Sequence, residues 1–305
     1  MEIKLIENLS NDEYHNGEKY KAYWSSSNLK SYLDTPREAY YQKYVAEKKD
    51  SSAFEFGSQL HDFFASKHLK GLPFEWNVFE LPINKSTGEP YGKATKAYQE
   101  AICQVKNPIS SNDMESIIDI WDMIKRSDYG WYFQKEILNK GLSEASFFVD
   151  GIHKYKYRPD VVNDKYIFDY KTVSKNYWDV QKLNYRIKEL GYDISAAMYQ
   201  YFEHQRTGIW KPFIIVWILK EPPYDILISD ISEYCFENIG DGEVLVNNGA
   251  NVFIKLKDQH EVCEMSKNWP GIANQFDEFC GVRIPKFSPK FERNFEQFEI
   301  ENNEF

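Results

Sequence analysis

The chain has 305 residues, a mass of 36.1 kDa and 42% hydrophobic content, enough for one large domain or two small ones with a buried core. Its net charge of -10 and pI near 5.3 argue against a nucleic-acid coat that works through a bulk positive field, while leaving room for a local basic groove. The cysteines, Cys103, Cys235, Cys263 and Cys280, are scattered with no Cys-x-x-Cys pair, which excludes a zinc ribbon or a redox motif and fits free thiols in a reducing compartment. Residues 1–8 lack an apolar leader core, and no apolar run approaches the roughly 18 residues of a membrane span. A cytoplasmic protein with no membrane partner is expected. Aromatic residues make up 17% of the chain; most belong in a core, but those left at the surface are able to stack on unpaired bases.

Ser25, Ser26 and Ser27 predict a helix over 25–33 that opens by serine capping and stops near Pro36, with a second helix over 37–47. Over 53–67, Phe56, Leu60, Phe63 and Phe64 share one helical side, and His61 lies on this helix. Turn formers and lysines mark 82–93 as a mobile loop. Helical segments follow at about 94–105 and 112–138. The period then changes, and 144–149, 155–160 and 166–171 read as successive strands, with a tight turn at Asp150-Gly151. Helices at about 177–189 and 192–206 lead to a buried strand over 213–219, which 224–229 is placed to pair with. Helices near 231–246 and 256–267 precede a tail after Pro285 with little apolar periodicity. No repeat and no linker interrupts the pattern. The expected partition is a single domain over 1–305: a helical N-terminal part (about 10–138), a sheet core (about 142–230) and C-terminal helices plus tail (about 231–305).

Asp160 and the Asp169-Tyr170-Lys171 triplet are the chemically most telling residues. On a strand, Asp169 and Lys171 project to one face and Tyr170 to the other, and Asp160 lies across a short Asn163-Asp164 turn. Two acids and a lysine can then meet in one pocket, as a divalent metal with hard oxygen ligands and a nearby cation requires. The triplet fits a surface ion pair equally well, since the same acid-x-Lys spacing occurs at Glu2-Ile3-Lys4. His61 reads as a buried core histidine or as a ligand, and Gly57 one turn earlier offers room for a close approach. The serines at 25–27 suit helix capping, or the holding of a terminal phosphate.

In this order, Gly57-x-x-x-His61, Arg158-Pro159-Asp160 and Asp169-x-Lys171 resemble the RecB-type branch of the PD-(D/E)XK nuclease superfamily, and within it the RecE-like exonuclease VIII group of phage and prophage recombination nucleases. Ser25-Ser-Ser-Asn-Leu-Lys30 and Asn268-Trp-Pro-Gly271 add to the resemblance, which spans about 10–285. It implies an α/β restriction-endonuclease-like PD-(D/E)XK core with a mixed central sheet flanked by helices. It also implies a Mg²⁺ or Mn²⁺ site in which Asp160 and Asp169 are bridging carboxylates, the Tyr170 carbonyl is a further ligand, and His61 holds or orients a second metal. Lys171 would hold the attacking water, and Glu144 is either an extra carboxylate or an ordinary strand acid. The family's Gln-x-x-x-Tyr element corresponds to Ser195-Ala-Ala-Met-Tyr199, so Tyr199 fits and Ser195 replaces the glutamine. Tyr199, Ser195 and Ser27 are the expected DNA contacts, with Lys85 and Lys93 as candidates for the backbone. No iron-sulfur cluster is expected, because Cys235, Cys263 and Cys280 are too widely spaced. By resemblance the partners are double-stranded DNA ends, a single-strand annealing protein and further copies of the chain in a homo-oligomer. An endonuclease of the same superfamily and a non-catalytic DNA-end binding module are the alternatives.

Overall fold

The computed structural model describes residues 1–46, 52–68, 73–240 and 242–271. It opens with a strand, β1 (Glu2–Ile6), and short helices α1 (Asn11–Asn16), α2 (Ser26–Lys30) and α3 (Pro36–Tyr44). Each helix is started by a hydroxyl: Ser10, Ser25 and Thr35 accept the backbone N–H three residues on, and Asn28 returns a bond to the Ser25 N–H. The predicted helix over 25–33 is therefore α2 plus a tight 3₁₀ turn, and Pro36 begins the next helix.

Helix α4 (Ser52–Lys67) buries Leu60, Phe63 and Phe64. Then come β2 (Asn77–Phe79), α5 (Lys96–Ile102), β3 (Pro108–Ser110) and α6 (Ser111–Arg126). Ile117, Ile120 and Ile124 form the fully buried stripe of α6. The expected single helix over 112–138 breaks here: α7 (Gly130–Tyr132) and a π turn over Phe133–Leu138 replace its second half. The chain doubles back so tightly that a Cβ on Gly130 would stand 2.3 Å from the Ile124 carbonyl oxygen, which only glycine tolerates.

The strands β4 (Leu142–Ser143), β5 (Ser146–Asp150), β6 (Tyr155–Tyr157), β7 (Val161–Val162) and β8 (Ile167–Val173) follow. Helices α8 (Val180–Glu189) and α9 (Tyr192–Thr207) cross over to β9 (Phe213–Leu219) and β10 (Asp225–Asp230). The five-stranded sheet runs β10-β9-β8-β7-β4, with β8 and β9 parallel and the other pairs antiparallel, so the sheet is mixed. Every residue of β9 is buried, alternating between two cores: Phe213, Ile215 and Trp217 pack with α9, and Ile214, Val216 and Ile218 pack with α4 and α6. A second antiparallel sheet runs β1-β5-β6.

Further sequence expectations need correction. The strand expected over 155–160 is only β6, ending at Tyr157, because Pro159 has no N–H for a ladder; the chain steps across at Arg158-Pro159 to β7 in the other sheet. Asp150-Gly151 is not a two-residue turn, since the last β5–β6 pair is Val149 with Tyr155. The helix expected near 231–246 is instead a hairpin of β11 (Phe236–Gly240) and β12 (Glu243–Val246), where Gly240 and Gly242 supply the positive φ that the turn requires. Helix α10 (Asn248–Ser266) closes the described chain, and the tail after Pro285 lies outside it. Among the described residues, no helix is long and apolar enough to cross a membrane.

Candidate metal centre

The apolar side of α4 fixes where His61 stands. Phe64 packs edge-on to Phe133 and Tyr170, and this seats the His61 ring 5.6 Å from the Tyr170 ring. Strand β8 alternates as a period of two demands: Phe168 and Tyr170 enter the core beneath α4, while Ile167, Asp169, Lys171 and Val173 take the other face. The hairpin pairs Val161 with Phe168, so Asp160 arrives beside Asp169, and its Oδ2 accepts the Tyr170 backbone N–H. Its Oδ1 lies 3.2 Å from His61 Nδ1. Glu144 does not lie on a strand; it occupies a left-handed turn before β5 (φ 50°), tied by its N–H to the Asp160 carbonyl at 3.0 Å.

Donor atoms of His61, Glu144 and Asp160 thus lie within 4.8 Å of one another. Asp169 stands outside this trio, paired with Lys171. The Lys171 ammonium also donates to the Tyr170 carbonyl at 3.3 Å and rests 5.1 Å from the centre of the Tyr192 ring.

The electrostatics show a site short of positive charge. Burial, and then the Asp160 charge, push the Glu144 carboxyl up to about 8. Burial opposes a charged His61, but the charge and hydrogen bond of Asp160 outweigh it and raise the imidazole to about 9. Burial likewise opposes Asp160 ionisation, yet His61 holds its carboxyl below the usual range. Asp169 is raised by burial and by Asp160, with Lys171 working against both. Lys171 is raised by Asp169 and Asp160 in spite of burial. Protons on Glu144 and His61 thus stand in for positive charge among buried carboxylates. Two carboxylates and an imidazole at this spacing suit a divalent cation of the Mg²⁺ or Mn²⁺ kind.

The trio and Asp169 line a cleft of about 800 Å³. A family model described as "PDDEXK-like domain of unknown function (DUF3799)" matches residues 25–270. The chain belongs to this PDDEXK-like family. That places it in the PD-(D/E)XK nuclease superfamily, and its mixed sheet between helical layers is the restriction-endonuclease-like fold. In fold it is similar to the crystal structure of a protein from Eubacterium rectale described as a "putative exonuclease" (TM-score 0.54, 15% identity, 91% of this chain and 96% of that one). No curated protein matches the chain.

Within this PDDEXK-like chain, Ser27 and Tyr199 line the same cleft as the trio, and the Tyr199 hydroxyl donates to the Arg158 carbonyl at 3.3 Å. Ser195 is not among the lining residues; its hydroxyl turns back to the Gly191 carbonyl at 3.3 Å. Lys93 is paired with Glu55 at 2.7 Å, and Lys85 is exposed away from the cleft lining. A Cβ on Gly57 would meet Thr172 Oγ1 at 3.5 Å, an ordinary contact, so packing does not require glycine there. Sequence reasoning missed Tyr192, Asp62 and Trp76, and it missed the wall built by residues 8–15, which lies outside the family match. A tyrosine at the start of the second helix after the lysine was a readable signal; Trp76 had none.

Proposed function

We propose that the protein is a Mg²⁺- or Mn²⁺-dependent exodeoxyribonuclease of the RecE-like exonuclease VIII type, which digests linear double-stranded DNA from its ends in the 5′-to-3′ direction and leaves single strands for recombination. The observation that carries this reading is the convergence of His61, Glu144 and Asp160 donors within 4.8 Å in a cleft that is also lined by Asp169, the partner of Lys171. His61, Glu144, Asp160, Asp169 and the Tyr170 carbonyl are the groups that would hold the metal. When bound, a divalent cation supplies charge stabilisation to a phosphoryl group and a more acidic water.

The side chains perform the remaining tasks. Lys171, kept charged by Asp169 and Asp160, offsets the negative charge that develops on the phosphate and orients the attacking water. Asp160 is held by the Tyr170 N–H, so its second oxygen stays aimed at His61. Ser27 and Tyr199 are assigned to the DNA strand. A homo-oligomer and a single-strand annealing partner belong to the same reading, as does the kinship of fold with the Eubacterium rectale protein.

Linear duplex labelled at either its 5′ or its 3′ terminus, with and without Mg²⁺, tests the reading. Loss of the 5′ label first, only with Mg²⁺, and no attack on covalently closed circles is the expected result. Digestion that persists in EDTA, or cleavage of the circle, contradicts it.

A further inference from the structure

Among the described residues, six carboxylates and a single guanidinium, that of Arg158, line the cleft. Arg158 is already committed: Nε and Nη2 donate to Ser146 Oγ, Nη2 donates to the Leu9 carbonyl at 2.8 Å, and the group lies over the Tyr14 ring at 4.2 Å. Apart from a bound metal, such walls offer a strand little attraction by charge, so part of the affinity for a polynucleotide has to come from elsewhere. A cleft of about 800 Å³ falls among sites of roughly 300–1,000 Å³ that enclose one small guest. An unpaired nucleotide is a guest of that size; a continuous duplex is not.

Trp76 is built to receive one. Its half-buried indole packs against the core beneath α4 and also lines the cleft. Nε1 donates to Asp62 Oδ2 at 2.7 Å, and Asp62 directly follows His61 on α4, so one turn of helix fixes both the ring and a metal-centre donor. A ring whose orientation is already held loses little freedom when a base stacks on it. His15, edge-on to Tyr14 at 4.9 Å, adds an exposed ring to the cleft lining. The geometry points to Trp76 as a stacking subsite for one unpaired nucleobase of the strand whose phosphate is hydrolysed, an inference that rests on the nuclease reading.

The test uses Lys171→Ala as parent, so that DNA is not consumed, with Mg²⁺ and a labelled single strand that is either intact or fully abasic. Binding is read by fluorescence anisotropy. Adding Trp76→Leu should weaken binding of the intact strand roughly ten-fold, the size of one base–aromatic stack, and leave the abasic strand unchanged. Adding Trp76→Phe keeps a ring and should retain most of the affinity. Should the leucine variant fail to fold, the emission difference between the parent and Trp76→Phe isolates the Trp76 signal, which the intact strand should quench and the abasic strand should not. Equal weakening of both strands, no weakening of either, or quenching by the abasic strand overturns the subsite alone. A parent that binds neither strand, together with a wild type that hydrolyses no DNA, overturns the nuclease reading as well.

Discussion

Asp160 Oδ1 lies 3.2 Å from His61 Nδ1, so a carboxylate delivered by the β7–β8 hairpin meets an imidazole delivered by α4. Asp160 raises this imidazole to about 9, and burial together with Asp160 raises the Glu144 carboxyl to about 8, so both hold protons at pH 7. A divalent ion that takes these lone pairs must displace protons. Metal binding at pH 7 is therefore expected to release protons and to tighten as the pH rises toward 9. Calorimetric titration in buffers of different ionisation heat measures this, and heats independent of the buffer would count against it.

The Asp169–Lys171 pair is a second point of attack. Lys171→Ala removes the only ammonium seen beside the carboxylates among the described residues, and Asp169→Asn removes its partner. Either change should lower the digestion rate by about 10²–10³-fold or more, the scale set by loss of one preorganised electrostatic group. Thermal melting separates this loss from unfolding, since Asp169 and Lys171 lie on the face of β8 opposite Phe168 and Tyr170 and outside the core beneath α4. A variant that melts normally and digests at the wild-type rate would remove Lys171 from the mechanism.

Much of this site was legible because it rests on short-range periods. A strand forces Asp169 and Lys171 to one face, and a helix puts Gly57 and His61 one turn apart. What stayed hidden was set by long-range contacts. The role of Glu144 depends on a left-handed turn tied to the Asp160 carbonyl, which no local pattern encodes. Residues 8–15 reach the cleft because β1 pairs with β5 along all of its residues, a register fixed by partners 140 to 148 positions away. The break between β6 and β7 was readable at Pro159, but the change of sheet it marks was not.

Away from the cleft, Glu203 is fully buried and accepts from Tyr157 at 2.8 Å, from Arg206 at 2.8 and 3.0 Å and from Lys211 at 3.0 Å. Glu203→Ala leaves the buried Lys211 ammonium without its carboxylate and should cost about 3–5 kcal/mol of stability. Denaturant unfolding checks this, and a loss below about 1 kcal/mol would show that the cluster is solvated.

His260 sets an acid limit. Burial, aided by His153 and nearby lysines, pulls its imidazole down to about 3, while Tyr32 hydrogen-bonds Nδ1 at 3.1 Å. The unfolded chain takes up this proton near pH 6.5 and the folded chain does not, so the stability it contributes is complete above that value. It should fall by about 1.4 kcal/mol for each pH unit below, down to the folded value. Melting curves from pH 7 to 4 should show the slope in the wild type and a shallower one in His260→Leu.

The most direct test of the metal centre is anomalous diffraction from crystals soaked in Mn²⁺. A peak contacted by His61, Glu144 and Asp160, with Asp169 turned toward it, is the predicted result. A peak elsewhere on the chain, or none at saturating Mn²⁺, would contradict it.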